Sequence, residues 1–201
     1  MNIEKTATQL ISRELVPALW PQFEAYFEFK GSCSGCWCMN HRLPSGLDFV
    51  GEAAKLAMKQ LVETKRVFGL LAFAPNDSIP VGWVAIDPKN NVPGHDCVID
   101  ISSEDSNVWS IHCLTSRSDW RGRGVETFLS KAAVDFCLSK GAKLIEAYPE
   151  PGSIPENGFK LGNSFSGYES DFLKLGFLPV NSDIAIQESI PFSKVTLKSI
   201  L

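Results

Sequence analysis

The sequence predicts an α/β (α+β) fold, with helices flanking a mixed, mostly antiparallel sheet. Three observations predict it. The apolar run Val108 to Leu114 leads through a short polar turn, Arg121-Gly122-Arg123-Gly124, into an amphipathic run from Val125 and then a further apolar run, Ala142 to Tyr148. That order is a βαβ unit. Upstream, the apolar runs Arg66–Phe73 and Val81–Ile86 flank Pro75-Asn76-Asp77-Ser78, the pattern of a hairpin. Downstream, Ile184 to Leu201 offers two further strands.

In chain order, residues 6–12 read as a first strand. Leu15 to Phe29 reads as a helix shortened by Pro17 and Pro21. Residues 31–46 form a Gly/Ser/Cys-rich loop. Val50, Ala53, Ala54, Ala57 and Leu61 make a second helical stripe. The hairpin follows, and residues 87–107 are a long polar connection. In the helix after the glycine turn, Val125, Phe128, Leu129, Ala132, Ala133 and Phe136 fall on one stripe, while Glu126, Lys131, Asp135 and Lys140 keep to other positions. Gly141 is a natural left-handed stop, and Pro149 and Pro151 break the strand beyond it.

The chain of 201 residues suits one domain, 1–201, with a sizeable core. Acidic residues outnumber basic ones, 23 to 19, for a net charge of −4. That balance disfavours a nucleic-acid or anionic-membrane surface and mildly favours cationic partners such as amines. Apolar stretches fall far short of the roughly 18–20 residues that span a bilayer. MNIEKTATQL lacks the apolar core of a signal peptide, so the cytoplasm is the expected compartment.

The glycine turn carries the most chemical information. A strand that ends in such a turn and opens a helix gathers unpaired backbone N–H groups and the positive end of a helix dipole at one spot, which suits a phosphate or pyrophosphate. Glycine lets the backbone approach a ligand closely. An ordinary strand-to-helix turn with two glycines is the plain alternative.

The run WSIHCLTSRSDWRGRGVETFLSKAAVDFCLSKGAKLIEAYP resembles the acetyl-CoA-binding core of the GNAT N-acetyltransferase superfamily. Its signature, Arg/Gln-x-x-Gly-x-Gly/Ala, is met by Arg121 and Gly124, with Glu126 at the last position. FGLLAF, VGWVAI and DFLKLGF resemble other pieces of that superfamily, and CWCMNHR is similar to a segment of one bacterial subgroup. The resemblance implies a GNAT-like sheet and acetyl-CoA as acyl donor. It places the pantetheine arm on the backbone of Leu114, Thr115 and Ser116. The pyrophosphate falls on Arg121, Gly122, Arg123, Gly124, Val125 and Glu126. It is also compatible with a homodimer through the C-terminal strands.

Two departures from the family pattern matter. Glu126 brings a carboxylate where the pattern has Gly or Ala, so its side chain is expected to turn away from a pyrophosphate, toward Arg123. Phe172 stands where many members carry a tyrosine that protonates the departing thiolate. Tyr168, four residues earlier, could share a helix face with it and is the candidate acid; a surface tyrosine without a role is the alternative.

Acetyl transfer requires a neutral amine, whereas a lysine-type amine has a pKa of about 10.4. A base or a water relay therefore helps. Ser110, His112, Leu114 and Ser116 are expected to share one face of the central strand by period 2, with Cys113 pointing the other way. In the family that face looks toward the thioester, and His112 titrates in the right range to be the base. Glu146 on the next strand is a reserve candidate for base or amine anchor.

Cys33, Cys36, Cys38 and His41 would be chemically sufficient for zinc, but the loop is tight and lacks a second, distant ligand pair. A wall of buried thiols beside Trp37 and Met39 is the second reading. The third, suggested by the resemblance and preferred, is that Cys36, Trp37 and Cys38 line the acceptor pocket, with no metal. The function expected is acetyl-CoA-dependent N-acetyl transfer to an amine by direct attack. The alternatives are a catalytically inactive acyl-CoA sensor and a zinc-stabilised interaction domain.

Overall fold

The computed structural model describes residues 9–29, 35–42, 50–92, 107–149, 166–179 and 195–198. Cys33, Cys97, the start of the expected first strand (6–8), most of the 87–107 connection and the 150–165 segment lie outside the described residues, as do 184–194. Among the described residues one seven-stranded sheet runs in the order β1-β2-β3-β4-β5-β7-β6. Its strands are β1 (Ile11–Glu14), β2 (Gly69–Phe73), β3 (Gly82–Pro88), β4 (Val108–Ser116), β5 (Leu144–Ala147), β6 (Leu178–Pro179) and β7 (Val195–Lys198). Neighbours are antiparallel except β4 and β5, which are parallel because α3 (Val125–Ser139) crosses between them. The mixed sheet expected from the sequence is therefore present. Of the two strands expected in 184–201, β7 is described; its partner β6 comes earlier in the chain.

Two apolar layers cover the sheet. On one face α1 (Trp20–Glu28) and α2 (Glu52–Glu63) pack over Leu71, Phe73, Trp83, Ala85 and Cys113. Pro21 lies in the first turn of α1, where an N–H has no helical partner to lose. Trp20, Phe23, Tyr26 and Phe27 then form the buried stripe of α1. The stripe of α2 differs from the expected one: Ala54, Met58 and Val62 are buried, while Val50 is exposed. Met58 had been outside the pattern, and an i, i+4, i+8 line through it faces the sheet more squarely.

On the other face α3 and the short α4 (Glu169–Lys174) pack over Leu70, Val84, Ile86, Ile111 and Leu114. Gly82 permits this close approach. A Cβ there would stand 2.5 Å from Val125 Cγ1 and 2.8 Å from Leu129 Cδ1. No helix among the described residues is long and apolar enough to cross a membrane.

Candidate active site

The parallel pairing of β4 and β5 runs from Val108↔Leu144 to Ile111↔Ala147, where β5 ends. β4 continues to Ser116. From His112 onward its far edge has left β5, while its near edge stays paired with β3 as far as Ser116↔Gly82. A strand edge of this kind presents backbone N–H and C=O groups to an extended ligand. Thr115 is fixed within it by a 2.7 Å hydrogen bond between its hydroxyl and that of Tyr26. Arg117 anchors the exit of the strand. Its guanidinium donates to Asp77, Asp119 and the carbonyl of Ile79, and its backbone N–H donates to Val81. Hydrogen bonds from that guanidinium hold both carboxyls below the usual range.

The turn that follows delivers α3. Gly122 and Gly124 both have left-handed φ, +69° and +78°, and a Cβ on either would meet nothing within 4 Å. Gly124 is the N-cap and has no side chain to cap the first turn, whose N–H groups have no partner inside the helix. Arg123 lies over the Trp120 ring, 5.1 Å from its centroid. Glu126 does turn back from the helix start, but toward Ser116, whose hydroxyl donates to its carboxylate at 2.9 Å, and not toward Arg123. The predicted cofactor residues, Leu114–Ser116 and Arg121–Glu126, thus form one continuous track from strand edge to helix start.

The central strand does not alternate as simple period 2 requires. Ala85 pairs with Cys113 but Ile86 with Ile111, so His112 is an extra residue in a β-bulge. The bulge reverses the sidedness of the strand. Ile111 and Leu114 both pack on the α3 side, while Cys113 packs on the α1–α2 side. His112 joins Cys113 on that side, through Asp87 and the 36–42 loop, so the expected common face of Ser110, His112, Leu114 and Ser116 is divided by the bulge.

His112 is fully buried, with Nε2 3.6 Å from Asp87 Oδ2. Arg42 Nη2 donates to the same Asp87 oxygen at 2.6 Å, and the His41 ring meets the His112 ring edge-on at 5.5 Å. Burial pushes the Asp87 carboxyl up to about 6 against the pull of Arg42. Burial, with the charge of Arg42 adding to it, lowers His41 to about 4, so His41 is neutral across the physiological range. Ser110 lies opposite Asp87 on β3 and opposite Glu146 on β5, forming a row across three strands. At its far end Glu146 pairs with Lys89 at 2.9 Å and accepts a 2.6 Å hydrogen bond from the Tyr148 hydroxyl, to which Lys89 also donates.

The loop that carries His41 and Arg42 is a tight turn closed by Met39 N–H donating to the carbonyl of Cys36. Its central residues, Trp37 and Cys38, both have positive φ, +48° and +59°. Left-handed backbone at such residues costs on the order of 1–3 kcal/mol each and persists only where packing enforces it. Trp37 is clamped against Phe27 and Trp20, and Cys38 accepts a hydrogen bond from the Trp83 indole. Trp37 and Cys38 are core residues, 6% and 2% exposed, and of the three residues expected at the acceptor pocket Cys36 is half-buried. No group of three or more metal-ligating side chains occurs among the described residues.

Tyr168 is not one turn before Phe172 on a helix. It is the extended N-cap of α4, and both residues are buried. Gly167 beside it approaches Leu114 so closely that a Cβ would lie 2.8 Å from Leu114 Cδ2, which sets Tyr168 near the open end of β4. Phe172 packs against Phe177.

A family model for the Acetyltransferase (GNAT) family matches residues 38–157. The chain belongs to this family. Solved structures share its fold across nearly the whole chain. The GNAT family N-acetyltransferase YhbS of Escherichia coli, in complex with CoA, is 15% identical with a TM-score of 0.53, covering 97% of this chain and 84% of that one. YncA of Salmonella typhimurium, solved with its cofactor acetyl-CoA, is 11% identical with a TM-score of 0.52 over 94% and 93%. The NatC complex bound to Gag peptide and CoA gives 13% and 0.52 over 94% and 98%. No protein of curated function matches the sequence significantly.

Within this GNAT chain, Asp87 and Arg42 were missed as site residues by sequence reasoning. A charge closing the apolar run VGWVAID was the available signal for Asp87. For Arg42 the available signal was its place beside His41 in CWCMNHR.

Proposed function

We propose that this GNAT protein is an acetyl-CoA-dependent N-acetyltransferase that moves the acetyl group to an amine by direct attack within a ternary complex. The observation that carries the reading is the continuous track formed by the released edge of β4, the open glycine turn and the side-chain-uncapped start of α3. On it the backbone of Leu114–Ser116 binds the amides of the pantetheine arm, and the N–H groups of Arg121–Glu126 bind the pyrophosphate.

The acetyl thioester then lies at the fork between β4 and β5, beside the bulge at His112. The amine nitrogen attacks the thioester carbonyl, a C–N bond forms and the C–S bond breaks. His112 accepts the amine proton, directly or through one water, and Tyr168 returns a proton to the thiolate sulfur. Holding both reactants in one fork supplies much of the acceleration. Glu146, engaged by Lys89 and Tyr148, is assigned to shaping the acceptor side of the fork. Small amines, amino-acid derivatives, antibiotics and protein N-termini all fit an amine acceptor.

The second reading, an acyl-CoA sensor without catalysis, is favoured by Phe172, whose ring cannot donate a proton, and by the carboxylate of Glu126 in the first turn of α3. Calorimetric titration of acetyl-CoA and desulfo-CoA into wild type and Gly124→Trp tests the binding track. Micromolar binding lost in the variant is expected, and no binding to wild type sinks both readings. Turnover over an amine panel separates them: cofactor binding without turnover selects the sensor.

A further inference from the structure

We infer that Asp87 and Arg42 are positioning residues that set the proton affinity of His112 in opposition, Asp87 favouring the imidazolium and Arg42 delaying it. The inference rests on the reading of His112 as proton acceptor and extends it to the charged side chains beside the ring. One carboxylate oxygen, Asp87 Oδ2, is shared between Arg42 Nη2 at 2.6 Å and His112 Nε2 at 3.6 Å. The other, Oδ1, accepts from the Phe68 N–H at 3.3 Å, which fixes the carboxylate plane. The side chains of Asp87 and His112 are fully buried and that of Arg42 is 4% exposed, so salt screens these charges little.

The physical logic follows from the signs of the charges. A nearby carboxylate favours a protonated ring, and a nearby guanidinium disfavours it. Arg42 itself stays charged: burial works against it, and the charge and hydrogen bond of Asp87 overcome that penalty. With both present, the ring can remain neutral at rest and yet find a counter-charge when the amine proton arrives.

The other titratable groups around this pair have defined places. His41 faces His112 edge-on from the same loop as Arg42. Cys38 of that loop and Cys113 of β4 are near enough for Arg42 to feel their charge if they ionise. Lys89 and Glu146 form a pair of their own beyond Ser110.

The loop geometry gives an independent reason to single out Arg42. Trp37 and Cys38 hold two consecutive left-handed conformations, and the chain then passes directly into the short turn Asn40–Arg42. Backbone outliers of this kind collect where a structure must place a functional group. What this one places is Arg42 upon Asp87.

The chain has three histidines, so His112 can be assigned in the NMR spectrum of the full-length protein by comparison with His112→Gln. Ring-carbon titration is followed in wild type, Asp87→Asn, Arg42→Gln and Arg42→Lys, without acyl donor. Asp87→Asn is expected to lower the His112 midpoint by at least about one pH unit, tenfold in proton affinity. Arg42→Gln is expected to raise it by a similar amount, and Arg42→Lys to leave it within about 0.3 of wild type. The acid limb of the acetyl-transfer rate moves in the same directions, with the KM for acetyl-CoA unchanged within about twofold.

Folded variants whose midpoints coincide with wild type overturn the proposal and leave Arg42–Asp87 a structural ion pair. So does a wild-type ring that stays neutral until the protein unfolds. Should Asp87→Asn fail to fold, the two Arg42 variants decide on their own. Failure of wild type to bind acetyl-CoA would remove the proposed reaction, whereas the titration still judges the roles of Asp87 and Arg42.

Discussion

The hydroxyl of Ser116, the last residue of β4, donates to the carboxylate of Glu126 in the first turn of α3 at 2.9 Å. This bond spans the glycine turn and ties together the two elements that would grip the donor. It turns the Glu126 charge back toward the strand, yet the charge remains within the first helical turn. There a carboxylate stabilises the helix by about 0.3–1 kcal/mol, while a bound pyrophosphate would meet it as a like charge. Glu126→Ala is therefore expected to bind acetyl-CoA roughly fivefold more tightly at low salt and to unfold about 0.5–1 kcal/mol more easily. Calorimetry at two ionic strengths checks it. An affinity that is unchanged at both would mean that the carboxylate lies clear of the phosphates.

Gly82 sits where β3 meets α3, and a Cβ would press on Val125 and Leu129, the residues that seat the helix start. Gly82→Ala is expected to destabilise the protein by about 1–3 kcal/mol. It should weaken acetyl-CoA binding as well, because α3 carries the N–H groups of the track. Urea unfolding and calorimetry on the same sample read both effects. Full stability in this variant would contradict the close packing.

Trp37 was expected at the acceptor pocket, and the structure places it in the core beside Phe27 and Trp20. Trp37→Ala should cost about 3–5 kcal/mol in denaturant unfolding. Acetyl-CoA affinity in the folded fraction should remain within about twofold of wild type. A variant of normal stability with altered acceptor preference would instead favour a place for Trp37 at the acceptor pocket.

His41 has a folded-state pKa lowered to about 4 from an ordinary 6.5 by burial and then by Arg42. Above the ordinary value it is neutral in both folded and unfolded states. As the pH falls toward 4 the unfolded chain binds the proton first, so this group withdraws stability from the protein. Asp87, raised to about 6 from 3.8 by burial, acts in the opposite sense over nearly the same window, since its folded form binds the proton first. Removing His41 leaves the Asp87 effect uncovered. The stability of His41→Asn relative to wild type should therefore rise by on the order of 1–3 kcal/mol between pH 7 and pH 4. Urea titrations at pH 7, 6 and 5 measure the trend, and a flat difference would show that His41 is not held neutral.

Much of the architecture was legible because it is local. The amphipathic stripe of α3, the glycines before it, the hairpin on either side of Pro75–Ser78 and the order of the βαβ unit all follow from neighbouring residues, whose backbone preferences and periodicity act over a few positions. The strand end, glycine turn and helix start proposed to hold the donor were legible for the same reason, being almost one unbroken segment, Leu114–Glu126. The side of the strand on which His112 stands was not. Period 2 holds only while a ladder is regular, and the bulge at His112 is a matter of register between two strands.

The sequence by itself determined the fold class, the family resemblance and where the glycine turn opens α3. Only the tertiary structure decided that Arg42 reaches Asp87 across 45 positions, that Trp37 belongs to the core and that Glu126 turns to Ser116. The reason is physical. Local propensities restrict one stretch of backbone at a time, whereas the pairing of buried charges and the filling of a core are settled by which distant segments pack together, where an unpaired charge or an empty space carries a large cost.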